Sequence, residues 1–470
     1  MIILRYKDLN PEDKKNLMAF TAPDRFSTGQ SVLDLHSKDQ SGHFPVLPGA
    51  VLWPVAEAEV VNILRYANEH HIPVTGWGAG SSLEGNPIPV HGGIVLDFTM
   101  MNRILDIREE DFQADVEPGV IYRELNKKLR HKGLFFPPDP GADATVGGMI
   151  ANNSSGTRTV KYGSTRDNIL RLSVVLANGE VIRTGTRASK TSSGYDLVNL
   201  IAGSEGTLGI ITGATLRLTG LPAEFSAVIA TFPSVDEAGK AVFDIIRSGL
   251  DPAALELLDS ECIRLINLNM KMNLKEMPTL FVEYHGPSQN YLAEVSDITR
   301  ELCMTQGCND FMSGIGREER DKFFSARHQL SEMIVRSHPD CSFLSGDSAV
   351  PVSAYPEIIA MAREEVEKNN LRAYIFSHAG DGNLHVKFAG RKDNEKDWKS
   401  IQEINSKIVS KAISLGGTAT GEHGVGIGKR IFMDQEHGNA LSWMKKIKQL
   451  FDPNGILNPG KIFPEGDSDI

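Results

Sequence analysis

The chain is poor in cysteine and has no excess of positive charge. Its 470 residues include four cysteines, Cys262, Cys303, Cys308 and Cys341. None of them forms a Cys-x-x-Cys pair, which argues against an iron–sulfur cluster or a disulfide framework. We therefore expect reduced, buried thiols. The formal charge of −11 argues against nucleic acid or an anionic membrane as a main partner.

Long hydrophobic runs are also missing. No apolar run approaches the ~20 residues that span a bilayer, and the N-terminus does not read as a signal peptide. We expect a cytoplasmic protein that reaches the inner membrane, if at all, through a partner. The 41% hydrophobic and 23% charged residues are typical of a globular protein, and the length predicts two or more domains.

Two histidines flank a predicted tight turn. Between His378 and His385, Asp381-Gly382 is a strong signal for a type I′ turn, which needs positive φ at both central residues. Such a turn places the two histidines directly opposite each other, with Cβ atoms ~4.5–5.5 Å apart. The pair predicts a divalent-metal site, although a histidine pair on its own is more often an ordinary, partly buried one.

A second polar segment favours the metal. Glu422-His423 lies between Gly421 and Gly424. The carboxylate of Glu422 is suited to be a third metal ligand, and the imidazole of His423 is suited to act as a base.

The first half of the chain is rich in glycine. The loop from Gly76 to Gly85 contains four glycines and two serines, so its backbone N–H groups are able to converge on an anion. It matches neither a Walker loop nor the spacing of a dinucleotide fingerprint. Small polar residues around 152–167 continue the pattern, and such a run is expensive to order without a bound partner.

The order of these motifs resembles that of a known flavoprotein superfamily. The loop 76–85, the Pro-Asp-Pro-Gly segment that runs to Gly148, Tyr162-Gly163 and the run from Ser204 to Gly209 occur as in the vanillyl-alcohol oxidase superfamily. With the two histidine segments and the tail 451–461, the whole chain is similar to the branch of glycolate oxidase D-subunits and D-lactate dehydrogenases. D-2-hydroxyglutarate dehydrogenases are close relatives of this branch.

This resemblance implies an α+β fold with a two-part FAD-binding domain of the vanillyl-alcohol oxidase (PCMH) type. We expect an N-terminal helical segment at 1–45, the FAD-binding domain at 46–222 and an α+β substrate or cap domain at 223–415. A C-terminal segment at 416–470 is expected to return to the flavin domain and complete the active site.

The resemblance also implies FAD, which we expect to be non-covalent because the loop 76–85 contains no histidine. The pyrophosphate is expected on this loop, the isoalloxazine and ribityl side near Thr145 to Gly156, and the adenine half near Ile210. The residues expected to bind FAD are Gly76, Gly78, Ala79, Gly80, Ser81, Ser82, Gly85, Pro138, Asp139, Gly141, Thr145, Gly148, Asn152, Gly156, Tyr162, Gly163, Glu205, Gly206, Gly209, Ile210 and Asn458.

The expected reaction is the oxidation of a 2-hydroxy acid. His378, His385 and Glu422 are expected to bind Zn, Mn or Fe, and His423 is expected to take the hydroxyl proton while hydride passes to flavin N5. Arg327, which follows Phe323-Phe324, is expected to bind the substrate carboxylate, as in the family. An ordinary solvated arginine is equally compatible with the residues alone.

The residues near the metal motif favour a small substrate. Where D-2-hydroxyglutarate dehydrogenases have a lysine and an asparagine, this chain has Ser345 and Lys387. Lys387 shares the strand face of His385 by alternation, so we include it among the site residues, although it also fits a solvent-facing lysine. We therefore expect D-lactate or glycolate rather than a five-carbon diacid.

Other functions remain open at this point. A metallohydrolase without flavin would be colourless, and would leave residues 76–210 unexplained. A non-catalytic flavin subunit of an electron-transfer complex would need no metal ligands. The alkyl-transferring relatives carry a run of adjacent histidines, which the segments around His378 and His423 lack. The electron acceptor is expected to be an electron-transferring flavoprotein, an iron–sulfur subunit, a cytochrome or a quinone, and a homodimer is one possible oligomeric state.

Overall fold

The computed structural model describes residues 6–464 and divides the chain into two compact units. The first unit contains the described parts of Met1–Ser155, Ser164–Leu221 and Glu422–Ile470, and the second contains Gly156–Gly163 and Pro222–Gly421. The N-terminal segment up to residue 45 thus clusters with the first unit. The short piece 156–163, which we had assigned to the flavin domain, clusters with the second.

The first unit combines short strands with short helices. Its strands are β1 Phe26–Ser27, β2 Ala50–Leu52, β3 Val74–Trp77, β4 Ile94–Asp97, β5 Ile104–Arg108, β6 Gln113–Val116, β7 Leu134–Phe135, β8 Ile169–Val175, β9 Val181–Gly185, β10 Ile210–Arg217 and β11 Thr219–Gly220. Its helices are α1 Pro11–Met18, α2 Gln30–Leu35, α3 Glu57–Glu69, α4 Tyr122–Arg130, α5 Val146–Asn152, α7 Leu197–Ile201, α14 Met433–His437 and α15 Ala440–Phe451.

Two main sheets organise this unit. The first has the order β1-β2-β4-β3 with β2, β4 and β3 parallel, and the second is antiparallel with the order β5-β6-β10-β8-β9. Helix α3 covers the first sheet because Val60, Ile63, Leu64 and Ala67 recur at helical spacing and are all fully buried, as the sequence predicts. Asn178-Gly179, a dipeptide that predicts a tight hairpin turn between two apolar runs, connects β8 and β9, since Val175 pairs with Val181.

The second unit is built on one large sheet. Its strands are β12 Glu224–Thr231, β13 Ala254–Leu258, β14 Thr279–Gly286, β15 Asp310–Ile315, β16 Cys341–Ala349, β17 Ala373–His378 and β18 Asn383–Arg391. Its helices are α6 Thr159–Tyr162, α8 Val235–Arg247, α9 Ser260–Met270, α10 Gln289–Thr305, α11 Arg317–Ser337, α12 Tyr355–Lys368 and α13 Glu395–Ser414. The strands are antiparallel neighbours in the order β15-β12-β14-β13-β17-β18-β16.

The two faces of this sheet differ in their cover. Helices α8, α10, α12 and α13 pack on one face through a core that includes Val242, Leu292, Ile358 and Ile404. Helices α9 and α11 pack on the other through a core that includes Ile263, Phe324 and Leu330. The polar residues described below lie on this second face.

All four cysteines are free and buried. Within residues 6–464, no helix is both long and apolar enough to cross a membrane.

Candidate active site

A cleft in the first unit is lined by most of the residues that are expected to bind FAD. Segments 76–98, 118–155 and 205–211 each contribute residues to its lining. The expected residues that line it are Gly76, Gly78, Ala79, Gly80, Ser81, Ser82, Thr145, Gly148, Asn152, Glu205, Gly206, Gly209, Ile210 and Asn458.

Close backbone approaches shape this cleft. A Cβ atom at Gly78 would stand 2.2 Å from Thr145 Oγ1, and one at Gly147 would stand 2.6 Å from Pro118 Cβ. The hydroxyl of Thr145 caps α5 by accepting from the N–H of Gly148 at 3.2 Å. The glycines therefore let loop 76–85 lie directly against the Thr145 side chain, and let the start of α5 lie against Pro118.

The other expected FAD residues lie outside the cleft lining. Asp139 accepts a hydrogen bond from Tyr122 Oη at 2.6 Å, and Gly85 donates its N–H to Asp39 at 2.8 Å. Tyr162 belongs to the second unit, where its hydroxyl lies 2.6 Å from His285 Nδ1. The remaining members of this group are Pro138, Gly141, Gly156 and Gly163.

The sequence analysis missed several residues of the cleft wall. Trp77, Asn86, Phe98 and Pro118 line it. Asn86 had a usable signal, since it directly follows the glycine-rich loop and its side chain is buried. Phe98 and Pro118 had none, because they follow β4 and β6, which no local sequence pattern links to that loop.

Glu422 and His423 line the same cleft. Glu422 Oε1 lies 3.7 Å from His423 Nε2, and both residues are only partly exposed. Asn152 Nδ2 lies 3.5 Å from both Ser82 Oγ and the carbonyl oxygen of His423. The structure of the first unit thus places the proposed base beside the residues expected to hold the flavin.

In the second unit the hairpin of the two histidines differs from the prediction. His378 pairs with Asn383, and His385 pairs with Phe376, so the histidines are diagonal rather than directly opposite. A 3₁₀ turn at Ala379–Asp381 followed by Gly382 with φ 79° connects the strands. The predicted type I′ turn was wrong because only Gly382, and not Asp381, has positive φ.

The two imidazoles nevertheless come together. Residues 376, 378, 383 and 385 share one face of the sheet, and the ring centroids of His378 and His385 are 5.1 Å apart. Both side chains are buried. Neighbouring strand residues on one face are close enough for diagonal side chains to meet.

A buried carboxylate orients His378. Glu256 on β13 pairs directly with His378, and His378 Nδ1 donates to its Oε1 at 2.7 Å. Burial raises the pKa of Glu256, but its interactions with His378 and Arg327, hydrogen bonds included, outweigh that effect and lower the pKa overall. The hydrogen bond fixes the tautomer that carries the lone pair on Nε2, which is how many metal-binding histidines are prepared.

Arg327 contacts the same carboxylate. Its Nε donates to Glu256 Oε2 at 2.7 Å, and its guanidinium lies 5.0 Å from the ring centroid of Phe376. The residue is buried, so it is not the solvated helix arginine that the sequence allowed. The sequence analysis missed Glu256, although a single carboxylate in the apolar strand Ala254–Leu258 is an unusual feature.

His385 has its own acidic neighbour. Asp347 on β16 pairs with His385, and its Oδ1 lies 3.8 Å from His385 Nδ1. Asn383 Nδ2 and Thr420 Oγ1 donate to the two oxygens of Asp347, at 2.7 and 2.8 Å. Each histidine of the pair therefore has a buried carboxylate of the second unit beside it.

Lys387 is buried on the same face, which contradicts a solvent-facing lysine. It pairs with Ser345, and its Nζ donates to Ser331 Oγ on α11 at 2.6 Å. Burial lowers the pKa of Lys387 to about 8. Burial removes the ammonium group of Lys387 from water, so the folded unit disfavours the charged form of this lysine.

This shift predicts a gain of stability on replacement. An unfolded lysine titrates near ~10.4, so between about 8 and that pH the unfolded chain binds more protons and the wild-type stability rises with pH. We expect Lys387→Met to raise the free energy of unfolding at pH 7 by about 2 kcal/mol, net of about 1 kcal/mol for the lost hydrogen bond. Urea unfolding at pH 7 and pH 10 measures this.

The control for that experiment is Lys392→Met, because Lys392 is exposed on the same chain segment. It should leave both the stability and its pH dependence unchanged. A Lys387→Met variant whose stability still rises like that of the wild type between the two pH values would contradict the burial argument.

Comparison with known protein families identifies the chain. Residues 221–462 match the model of the C-terminal domain of FAD-linked oxidases, and residues 48–185 match a FAD-binding domain model. The chain belongs to the FAD-linked oxidases. The FAD-binding match contains the cleft segments 76–98 and 118–155, so the predicted cofactor class is confirmed.

The names of two relatives of this FAD-linked oxidase describe enzymes that act on 2-hydroxy acids. It is 37% identical over 462 residues to "D-lactate dehydrogenase [cytochrome], mitochondrial" of Arabidopsis thaliana, covering 98% of this chain and 81% of the relative. It is 36% identical over 455 residues to "Glycolate oxidase subunit GlcD" of Bacillus subtilis, covering 96% of each. The expected family branch is thereby confirmed.

A solved structure supports the fold. The structure of p-cresol methylhydroxylase with substrate bound matches with a TM-score of 0.74 at 19% identity, covering 96% of each chain. This FAD-linked oxidase therefore has the expected α+β architecture of the PCMH type. The relatives named above show that it is an FAD-linked oxidoreductase.

Proposed function

We propose that this enzyme oxidises a small D-2-hydroxy acid, D-lactate or glycolate, to the 2-oxo acid and passes the electrons to a separate acceptor. The observation that carries the proposal is the position of Glu422-His423 in the wall of the cleft that the FAD-binding residues line. The names of the relatives support the substrate class.

FAD, when bound, supplies the acceptor for the two electrons and the hydrogen that leave C2 of the substrate. The loop 76–85 and the start of α5 would hold it, as the close approaches at Gly78 and Gly147 allow. The protein supplies position and proton transfer. His423 takes the proton of the substrate hydroxyl, since an imidazole titrates near neutrality and lies in the cleft wall.

We propose a divalent ion bound by His378, His385 and Glu422. The donor set fits zinc, manganese or iron, and the hydrogen bond from His378 to Glu256 presents Nε2 as a ligand. An ion held there would supply Lewis-acid chemistry. In this arrangement Glu256 orients His378, and Asp347 lies beside His385.

Arg327 and Lys387 complete the proposed site. Arg327 uses one N–H on Glu256, and a guanidinium has four further donors for a carboxylate. Lys387 supplies a positive group on the face of His385. A single lysine beside Ser345, without the amide found in the diacid enzymes, favours a monocarboxylic substrate over D-2-hydroxyglutarate.

We also propose an electron acceptor and a cellular location. The Arabidopsis relative is named for a cytochrome acceptor and for mitochondria, whereas the Bacillus relative is named as a subunit. We propose a one-electron or two-electron protein acceptor, or a quinone, and a cytoplasmic location for this chain. Turnover assays with each acceptor class decide the first point.

A substrate panel tests the proposed reaction. Purified protein is mixed anaerobically with D-lactate, L-lactate, glycolate or D-2-hydroxyglutarate, and the visible flavin absorbance is followed. We expect rapid bleaching by D-lactate or glycolate and much slower bleaching by L-lactate and by the diacid. Fastest bleaching by D-2-hydroxyglutarate would show that the assignment of Lys387 is wrong, and a colourless protein would favour the hydrolase.

A further inference from the structure

Glu205 makes an unusual set of contacts in the first unit. It is 4% exposed and has a φ of 52°, a left-handed conformation that residues other than glycine rarely adopt. Its backbone N–H donates to Ala151 O at 2.8 Å, and its carbonyl oxygen accepts from Asn458 Nδ2 at 2.7 Å. The backbone is thus tied to α5 on one side and to the C-terminal segment on the other, which is how such strain is sustained.

The carboxylate of Glu205 accepts from three N–H groups. Val425 N donates to Oε1 at 2.6 Å, Gly426 N donates to Oε2 at 2.9 Å, and Asn86 Nδ2 donates to Oε2 at 2.7 Å. Burial raises the pKa of Glu205, and these donors oppose the shift because both oxygens act as acceptors. Its partners at 425 and 426 follow Glu422-His423 after a single residue.

The loop 422–426 is fitted closely to this carboxylate. Gly424 and Gly426 both have positive φ, at 80° and 50°. A Cβ atom at Gly424 would lie 2.8 Å from Asn86 Nδ2 and 3.0 Å from Glu205 Oε1. The loop therefore contacts Glu205 along its backbone, with no side chain between them.

We propose that Glu205 is a positioning residue that holds the loop of Glu422 and His423 against the FAD cleft. The inference rests on the proposed role of His423 and adds the group that fixes its place. The loop has no regular secondary structure, and the Glu205 carboxylate accepts from its N–H groups at 425 and 426. A misplacement by about 1 Å is known to slow catalysis by ~10²-fold.

Glu205→Gln tests this hold with almost no change of volume. A glutamine has one acceptor oxygen and an NH₂ donor, so it leaves at least one of the three N–H groups facing another donor. The matched control is Glu59→Gln, because Glu59 also accepts a backbone N–H, from Val55 at 2.9 Å, and pairs with Arg25. Glu59 does not line the cleft.

Amide hydrogen exchange of the FAD-loaded protein provides the first readout, and it does not depend on turnover. We expect peptides that cover 422–428 to exchange at least 10-fold faster in Glu205→Gln, while Glu59→Gln and the wild type exchange alike. Unchanged exchange at 422–428 in Glu205→Gln would overturn the proposal. If this variant does not accumulate as a folded flavoprotein, Glu205→Asp replaces it, since it keeps the charge and withdraws the oxygens by one methylene.

A double-mutant cycle provides the second readout. Glu205→Gln should slow anaerobic flavin reduction about 10–100-fold, and adding it to His423→Asn should cause little further loss, because residues that act as a unit are non-additive. A full multiplicative loss in the double variant would overturn the claim that Glu205 acts through His423. Normal reduction by His423→Asn alone would contradict the proposed function instead, and the exchange result would then decide whether Glu205 holds the loop.

Discussion

His423→Asn is expected to slow anaerobic flavin reduction by the hydroxy acid about 10²–10⁴-fold, the range that a positioned general base contributes. Asparagine keeps a polar side chain of similar reach but cannot take the hydroxyl proton. His423 lines the FAD cleft, and it is the backbone oxygen, which the substitution keeps, that lies 3.5 Å from Asn152 Nδ2. We therefore expect the variant to retain FAD, and stopped-flow absorbance separates cofactor loss from slow chemistry.

The matched control is His437→Asn, a histidine of the same C-terminal segment at the end of α14 that does not line the cleft. It should reduce its flavin at the wild-type rate. A wild-type rate in His423→Asn would show that His423 is not the proton acceptor. The cofactor and fold assignments would not be affected.

His378→Ala is expected to release the divalent ion and to lower turnover by a similar factor. The variant loses one ligand of three, and it also leaves Glu256 with Arg327 as its remaining charged partner. Metal analysis of the purified variant should show sub-stoichiometric metal, with FAD content unchanged. Added metal should restore little activity, because the missing ligand is a protein group.

His338→Ala is the control for the metal experiment. His338 lies in the same unit and its Nε2 is 2.6 Å from Tyr374 Oη, so it tests the loss of a partly buried histidine without a proposed ligand role. Unchanged metal and turnover in His378→Ala would exclude the proposed ligand set. Metal loss in His338→Ala to the same degree would point to general destabilisation of the unit.

Local sequence patterns predicted much of the fold. Helix α3 and the hairpin of β8 and β9 depend on residues a few positions apart, so apolar spacing and the Asn178-Gly179 turn were enough to find them. The assignment of 156–163 to the second unit could not be read locally, because it depends on contacts with strands more than a hundred residues away.

The sequence predicted the residues of the candidate site better than it predicted their geometry. The pairing of His378 with Asn383 depends on a loop that has a 3₁₀ turn, and a Cβ atom at Gly382 would stand 2.0 Å from Val350 O. Both local conformations fit the same Asp-Gly signal, and tertiary contacts select one. Alternation placed Lys387 on the face of His385, but only the packing of α11 shows that this face is covered.

The most direct test of the central claim is a single anaerobic turnover with D-lactate that carries deuterium at C2. The account predicts that D-lactate bleaches the flavin in one step, that the deuterated acid does so more slowly, and that pyruvate forms in equal amount to reduced flavin. Equal rates for the two acids would show that another step limits reduction. No bleaching by D-lactate or glycolate, with FAD bound and the metal present, would contradict the proposed reaction.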